Sequence, residues 1–362
     1  MGRESYDVVV DRRNLTNVQV IPSEPVAVGP DQVHVSIESY ALTANNITYG
    51  VAGETMKYWN FYPAAAGKGR IPVWGFGRVV QSGRPDVPAG ERLYGYWPMS
   101  SDVLLTIGRT TPATLTEVSQ NRVGLSPVYN SYVRVAADPS MPAASAPYVS
   151  LFRPLFTTSF LIDDFLAECD FFQARAVLIT SASSKTSMGL SYCLKQRSAG
   201  RPEIVGLTST RNAAFVAGLG TYDRVVTYDA IGGLRAPQGA VVVDLAGGET
   251  TLRAIHTELG DELKYSCRVG LTQWHDAKPV IENLPGVRPV FFFAPDRVKA
   301  RLSDWGQEGF AKRVGAVSAA FVADARRWLK LETHRGSEAI VAAYHTVLKG
   351  DVRPDVGLIC VP

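Results

Sequence analysis

A chain that reads Ala-Val-Leu-Ile-Thr-Ser-Ala-Ser-Ser-Lys-Thr-Ser-Met-Gly from Ala176 to Gly189 is constrained to pass from a buried strand through a tight turn into a helix. The first five residues are a short, continuous apolar run with β-branched side chains, the pattern of a central parallel strand covered on both faces. Ser181 to Ser187 then supply hydroxyls and one ammonium, and Met188 to Leu194 resume at helical spacing. Such a turn directs free backbone N–H groups and the positive end of a helix dipole at whatever sits over it. Its natural guest is an anion.

Two phosphate-binding motifs can be tested on this stretch. The dinucleotide fingerprint G-x-G-x-x-G is not matched: Ser and Ala stand at its glycine positions, and only Gly189 remains near the helix start. The Walker A pattern also fails. Ser184-Lys185-Thr186 imitates its end, but the final glycine is a serine and the first falls on Ile179, inside the strand. A nucleoside triphosphatase is therefore rejected. A serine-capped connection without a ligand stays open as the plain structural alternative.

The downstream sequence gives the turn a setting. Pro202 to Thr208 reads as a second strand, followed by a helix opening at Ser209-Thr210-Arg211-Asn212 and ending at Gly218 to Gly220. Asp223 to Val226 makes a third strand, and Ala240 to Asp244 a fourth, closed by Leu245-Ala246-Gly247-Gly248. Strand and helix alternating through short turns predict a doubly wound α/β sheet, whose ligands bind outside the carboxyl ends of the strands. The serine-rich turn lies at that edge.

The segment from Ser209 to Asp229, with Phe215-Val216-Ala217-Gly218-Leu219-Gly220 before Asp223-Arg224-Val225-Val226-Thr227-Tyr228, resembles the second βα unit of the medium-chain dehydrogenase/reductase superfamily. Further matches run in order along the chain. They are Val33 to Glu38 with Ala44-Asn45-Asn46-Ile47-Thr48-Tyr49-Gly50, the Gly-x-Gly hairpin at Gly75 to Gly83, the turn Val87 to Gly95, and the helix and strand from Ala342 to Pro362. The resemblance implies a GroES-like β-rich catalytic domain and a Rossmann nucleotide-binding domain. Its nearest branch is the zinc-independent quinone oxidoreductases and enoyl reductases, or a divergent side family. Zinc members need thiolates, histidines and carboxylates at coordinating spacing. Here no cysteine precedes Cys169, no C-x-x-C pair occurs, and Trp74-Gly75-Phe76 stands at the family's Gly-His-Glu. No metal is expected. His34, His256, His275, His334 and His345 are scattered and read as packed or surface residues.

Composition narrows the class without choosing an activity. With 362 residues, 46% of them hydrophobic and 20% charged, the chain can bury the cores of two domains. A net charge of +3 with no basic tract argues against a nucleic-acid partner. No apolar run reaches membrane-spanning length, and Met1 to Asp7 lacks a secretory pattern. The four cysteines fall in segments that read as buried, so the expected location is the cytoplasm. Residues 1–150, punctuated by Gly and Pro, form the expected GroES-like domain, with 300–362 returning to it; 151–299 form the Rossmann domain. Ala136 to Pro147 reads as the connection, and Phe156 to Phe165 as the entering helix. Helical stretches are expected near Ala311 to Leu331 and Ser337 to Leu348.

Charge selects the expected cofactor. A dinucleotide site for NAD places Asp or Glu at the end of the second strand, where it would repel a 2′-phosphate. This chain has Thr208-Ser209-Thr210-Arg211 there. Its hydroxyls and guanidinium, with Lys185 across the crevice, suit NADP(H). The expected contacts are Ser181, Ser183, Ser184, Lys185, Thr186, Thr208, Ser209 and Arg211, with Ala246, Gly247, Gly270 and Phe293 after later strands. Asn45 aligns with the family's turn asparagine, while Thr48 replaces the usual Asp. Tyr49 and Tyr58 are candidate proton donors that spacing does not separate. The aromatic residues from Tyr58 to Tyr62, with Trp74, Phe76, Tyr94, Tyr96 and Trp97, could face a flat or apolar substrate such as a quinone, enone or acyl chain, or fill a core. The resemblance thus implies an NADPH-dependent, metal-independent reductase acting as a homodimer. The alternative is a non-catalytic NADP(H)-binding redox sensor or a subunit of a biosynthetic assembly.

Overall fold

The computed structural model describes residues 5–23, 27–197, 200–269 and 283–362. They divide into two compact units, residues 1–153 with 329–362, and residues 154–328.

In the first unit, six strands close into a barrel. Gln32–Leu42, Pro72–Ser82, Arg92–Pro98, Ser131–Arg134, Thr114–Glu117 and Asp102–Thr110 pair in that order, and the last returns to Gln32–Leu42. Closure removes the sheet edges that would otherwise template aggregation. Val356–Val361 and Lys330–Arg335 extend the sheet outward from Gln32–Leu42. Val33, Val35, Ile37, Val73, Leu93, Trp97, Leu105 and Ile107 are buried. Glycine lets these strands pack closely: a Cβ on Gly95 would stand 2.2 Å from the Tyr132 ring, and one on Gly75 would meet the Ser39 carbonyl at 2.1 Å. Trp74, Phe76, Tyr94 and Tyr96 occupy one face of adjacent strands and are covered by other aromatic side chains. The segment Ala44 to Gly50, expected as a turn, is a helix over Ala44–Val51, because Asn46 caps its own start by accepting from the Thr43 N–H at 2.7 Å.

The second unit holds six parallel strands in the order Arg224–Thr227, Glu203–Thr208, Ala176–Ile179, Ala240–Asp244, Leu263–Arg268 and Val290–Phe291. Numbered along the chain this is 3-2-1-4-5-6, the doubly wound order with its switch point between the first and fourth strands. Alternate residues feed two cores. Val177, Ile179, Val241 and Val243 pack with Leu161, Leu190 and Leu194; Leu178, Val205, Leu207 and Val242 pack with Leu252 and Ile255.

The entering helix runs over Ala146–Glu168, longer than the Phe156 to Phe165 read from sequence and through Pro154. Proline at position 154 removes one helical N–H, but apolar residues on both sides of it are buried, including Leu151, Phe152, Leu155 and Phe156. A further helix, Ala294–Ala325, lies in the second unit, whereas a boundary at 299/300 assigns most of it to the first. Charge and stacking hold it there: Arg301 Nε meets Asp164 at 2.6 Å, Arg297 meets Glu168 at 2.6 Å, and the Phe156 and Phe321 rings stack 4.9 Å apart. Leu331, expected to be helical, belongs instead to the strand Lys330–Arg335.

One buried ion pair ties the barrel to its loops. Arg122 and Glu117 are both almost fully buried, with Nε to Oε2 at 2.8 Å. The guanidinium lies 4.6 Å from the Tyr62 ring centroid, and Glu117 Oε1 accepts from the Thr106 and Ser119 N–H groups. Removing one partner leaves an uncompensated buried charge, so Glu117→Ala should lower stability by about 3–5 kcal/mol. Urea unfolding followed by tryptophan fluorescence measures this loss; a change within about 1 kcal/mol would contradict the assignment.

Candidate functional site

The turn after Ile179 is built from hydroxyl groups. Ser184 caps the helix Lys185–Lys195, its Oγ accepting from the Ser187 N–H at 3.2 Å. Ser187 is fully buried and donates to the Thr180 carbonyl at 3.0 Å. Ser181 adopts φ +47°, in the left-handed region where glycine is the usual occupant. Its N–H donates to Tyr228 Oη at 2.9 Å, and the Ala182 N–H to the Leu207 carbonyl at 3.0 Å. The Tyr222 hydroxyl donates to the Ala182 carbonyl, and Asn212 Nδ2 to Ser183 Oγ. The turn is therefore braced by a backbone carbonyl of the second strand, by tyrosines on either side of the third, and by Asn212 of the helix between them. Among the described residues the N–H groups of Ser183 and Thr186 have no partner, and they stand at the positive end of a helix of 11 residues. Gly189 survives for a packing reason. A Cβ there would approach Ser159 Oγ to 2.7 Å, and that hydroxyl donates to the Thr186 carbonyl at 2.7 Å.

Thr180 and Asp244 join the two strands at the switch point. Thr180 Oγ1 donates to Asp244 Oδ1 at 2.8 Å and accepts from the N–H groups of Leu245 and Ala246 at 2.8 and 2.9 Å. Asp244 Oδ1 also accepts from the Gly247 N–H at 3.1 Å, and Gly247 has φ +74°. Both side chains are fully buried. Burial pushes the Asp244 carboxyl up, opposed by the bonds from Thr180 and Gly247. The result is a rigid turn over 245–248, at the edge where a doubly wound sheet takes its ligand.

The predicted cofactor contacts separate into groups. Ser181, Ser183, Ser184, Lys185 and Thr186 share the first turn. Thr208 is buried at the end of the second strand, and Ser209 caps the next helix by position. Arg211 is exposed and forms no ion pair among the described residues. Thr210 Oγ1 lies 3.4 Å from an Asp229 carboxylate oxygen, which puts a negative charge at the same edge. Ala246 and Gly247 are buried in the turn just described. Phe293 follows the sixth strand and precedes the helix Ala294–Ala325. Gly270 and His275 lie outside the described residues. Thr180, Tyr222, Tyr228 and Asn212 were not singled out from sequence. A shallow groove lined by Gly260, Asp261, Leu263, Lys264, Gly286 and Val287 lies at the opposite, amino-terminal edge of the sheet.

In the first unit, Asn45, Tyr49 and Tyr58 come together. Tyr49 Oη accepts from Asn45 Nδ2 at 2.8 Å and Trp74 Nε1 at 3.1 Å. The Tyr129 ring meets that of Tyr49 edge to face, 6.1 Å between centroids, and its hydroxyl lies 3.3 Å from Tyr58 Oη. The Tyr49 and Tyr58 rings are 4.8 Å apart. Burial raises the Tyr49 phenol far above its ordinary value and the nearby Tyr58 adds to this, whereas the bonds from Trp74 and Asn45 pull it down. Tyr58 is raised by burial and has the single opposing bond to Tyr129. Two N–H donors converging on one oxygen therefore distinguish Tyr49, the residue better equipped to carry negative charge. Tyr94 Oη and Tyr96 Oη, on the neighbouring strand, are buried without a hydrogen-bond partner. Among the described residues no group of three His, Cys, Asp or Glu side chains is placed to hold a metal ion, and no helix is long and apolar enough to cross a membrane.

Thr180→Val should cost about 2 kcal/mol or more, since it removes three hydrogen bonds from a fully buried cluster and leaves Asp244 Oδ1 only those from the Ala246 and Gly247 N–H groups. Thr180→Ser should recover most of that loss. Chemical denaturation of the three proteins supplies the comparison, and a valine variant as stable as the parent would remove the clamp from the account.

Solved structures share this architecture over the whole chain. CurA from Vibrio vulnificus in complex with NADPH aligns with a TM-score of 0.63 at 11% identity, covering 98% of each chain. The quinone oxidoreductase from Coxiella burnetii aligns at 0.53 and 14% identity, covering 99% of this chain and 100% of its own. The CurK enoyl reductase aligns at 0.55 and 12% identity, covering 99% of each. At such identities the likeness establishes the fold, that of the medium-chain dehydrogenases/reductases. No curated protein matches the chain in sequence. A family model described as "Protein of unknown function (DUF2855)" matches residues 40–353, and the chain belongs to that family.

Proposed function

We propose that the chain is an NADPH-dependent, metal-independent reductase of an activated carbon–carbon double bond, a quinone or a similar carbonyl. The observation that carries this reading is the braced turn at Ser181 to Ser187. It leaves the Ser183 and Thr186 amides open at a helix start, next to the switch point of a 3-2-1-4-5-6 sheet. The likeness to a structure containing NADPH and to quinone and enoyl reductases supports the same reading.

The donor set suits a dinucleotide diphosphate. Ser183, Ser184, Lys185 and Thr186 would hold the pyrophosphate, Ser209 and Arg211 the 2′-phosphate, and the turn containing Ala246 and Gly247 the nicotinamide side. The bound cofactor would supply a hydride. Tyr49 then donates the proton that completes reduction, and Asn45 and Trp74 stabilise the phenolate left behind by donating N–H bonds to its oxygen. The buried aromatic side chains around it, Phe61, Tyr96 and Tyr129 among them, favour a flat or apolar substrate. A dimer follows from the family resemblance.

One observation favours the non-catalytic alternative, a redox sensor or subunit of an assembly. The Ser181 and Ala182 amides, which a glycine-rich turn would offer to phosphate, are already spent on Tyr228 and Leu207. NADPH fluorescence titration, followed by oxidation with quinones, enones and enoyl thioesters, separates the readings. Binding with turnover is expected; binding alone favours the sensor, and no binding defeats both.

The cofactor preference has its own test. Arg211→Ala should weaken NADPH by about 1.5–3 kcal/mol, roughly ten- to hundredfold, and leave NADH little changed. Equal loss for both dinucleotides in parallel titrations would remove Arg211 from the 2′-phosphate site.

A further inference from the structure

Two phenols of the barrel unit stand where phenylalanine would be the more stable choice. Tyr94 and Tyr96 are 3% and 0% exposed, and among the described residues neither hydroxyl has a hydrogen-bond partner. A buried polar group left unsatisfied destabilises a fold. The surrounding cluster does satisfy its other phenols: Tyr62 and Tyr132 both donate to the Tyr96 carbonyl, and Tyr58 meets Tyr129 at 3.3 Å. The main chain of Tyr96 is thus saturated while its side chain is not.

These two hydroxyls belong to the neighbourhood of Tyr49. Tyr94 and Tyr96 stand two residues apart on the strand Arg92–Pro98 and so share a face, with Trp74 opposite Tyr96 on the next strand. The Trp74 ring lies 5.9 Å from that of Tyr94 and 5.0 Å from that of Tyr96, and its Nε1 donates to Tyr49 Oη at 3.1 Å. One indole therefore joins all three phenols. The Tyr49 and Tyr96 rings meet edge to face at 5.3 Å. Trp74 and Asn45 are half-buried, so this corner of the cluster reaches the surface. Burial pushes the Tyr94 and Tyr96 phenols up, opposed at Tyr94 by Arg153, so each keeps its proton and offers an O–H. Arg153 is itself paired with Asp138 at 2.9 Å.

Resting on the reading of Tyr49 as the proton donor, we infer that Tyr94 and Tyr96 are substrate-binding residues, whose hydroxyls donate to the carbonyl oxygen of an uncharged ketone or quinone. A carbonyl accepts these bonds without bringing charge into the aromatic cluster. A carboxylate or phosphate would be buried there without a counter-ion. Binding also gives both phenols the partners that they lack in the free protein. The pair therefore sets specificity as well as position: the site takes neutral carbonyl compounds and refuses their anionic counterparts.

Tyr94→Phe and Tyr96→Phe keep both rings and delete the hydroxyls one at a time. Thermal unfolding should find each variant as stable as the parent or more so. With NADPH and cyclohexenone as probes, KM should rise roughly three- to tenfold in each, and further in the double variant. A loss of stability in the phenylalanine variants marks a structural hydroxyl and overturns the assignment, as does an unchanged KM. Tyr49→Phe should lose roughly 100-fold or more in kcat, and full activity in that variant overturns the reading beneath. An arm without turnover uses cyclohexanone, isotopically labelled at its carbonyl carbon, with NADP+ present so that nothing is reduced. Its C=O stretch should move to lower frequency on binding to the parent and return towards the free value in the double variant. The same stretch in both proteins overturns the proposal, whereas a shift without any cyclohexenone turnover defeats the reductase reading alone. Cyclohexanecarboxylate, the same ring carrying a charge, should not displace the ketone; displacement at equal concentration overturns the preference for neutral carbonyls.

Discussion

A single threonine hydroxyl holds the switch point of the parallel sheet. Thr180 Oγ1 makes three hydrogen bonds, one to Asp244 and two from the turn beyond it. A buried polar group must be satisfied or it destabilises. The first strand, the fourth strand and the 245–248 turn therefore have one mutually consistent arrangement, and the order 3-2-1-4-5-6 places the open turns of both strands side by side. The ligand-facing edge is thus set by groups that would never touch the ligand. Asp244 illustrates the division of labour: one carboxylate oxygen organises the turn, while the other is buried without a hydrogen-bond partner.

The two units deal with polar groups in buried places in opposite ways. In the parallel-sheet unit the hydroxyls saturate backbone groups: Ser184 and Ser187 the helix start, Tyr222 and Tyr228 the turn. In the barrel unit the Tyr49 phenol accepts from Asn45 and Trp74, those of Tyr58 and Tyr129 bond to each other, and the buried phenols of Tyr94 and Tyr96 stay unpartnered. Backbone saturation makes a fixed scaffold. A pair of hydroxyls, each able to donate or accept, leaves its proton positions free while the rings stay packed.

Much of the fold was legible because it rests on local pattern. The strands Ala176–Ile179, Glu203–Thr208 and Ala240–Asp244 are short apolar runs with glycine or serine turns, and they form as the spacing predicts. The errors came where tertiary contacts outweigh local signals. The entering helix reads as Phe156 to Phe165, yet buried apolar neighbours carry it through Pro154 and back to Ala146. Residues from 300 onward read as returning to the barrel, but Arg297 and Arg301 bind the helix to Asp164 and Glu168, about 130 positions earlier in sequence. Asn45, Tyr49 and Tyr58 were visible as a cluster because they share one stretch of chain. Tyr129 was not, since it lies about 70 residues further on and no local pattern marks a hydroxyl that meets its partners only in the fold.

The missing glycines now have a physical account. A glycine-rich phosphate turn is permissive because glycine reaches left-handed backbone angles without a steric penalty and leaves amides bare. Here Ser181 takes the left-handed angle, and the strain is offset by its N–H bond to Tyr228. Ala182 is buried beneath, its Cβ 3.0 Å from where a Cβ on Gly206 would be. The glycine has moved from the turn to the neighbouring strand. Because that strand and the two tyrosines brace the turn, its shape depends on the second and third strands as much as on its own sequence. The Ser183 and Thr186 amides are consequently presented by a turn whose shape also rests on Leu207, Tyr222 and Tyr228.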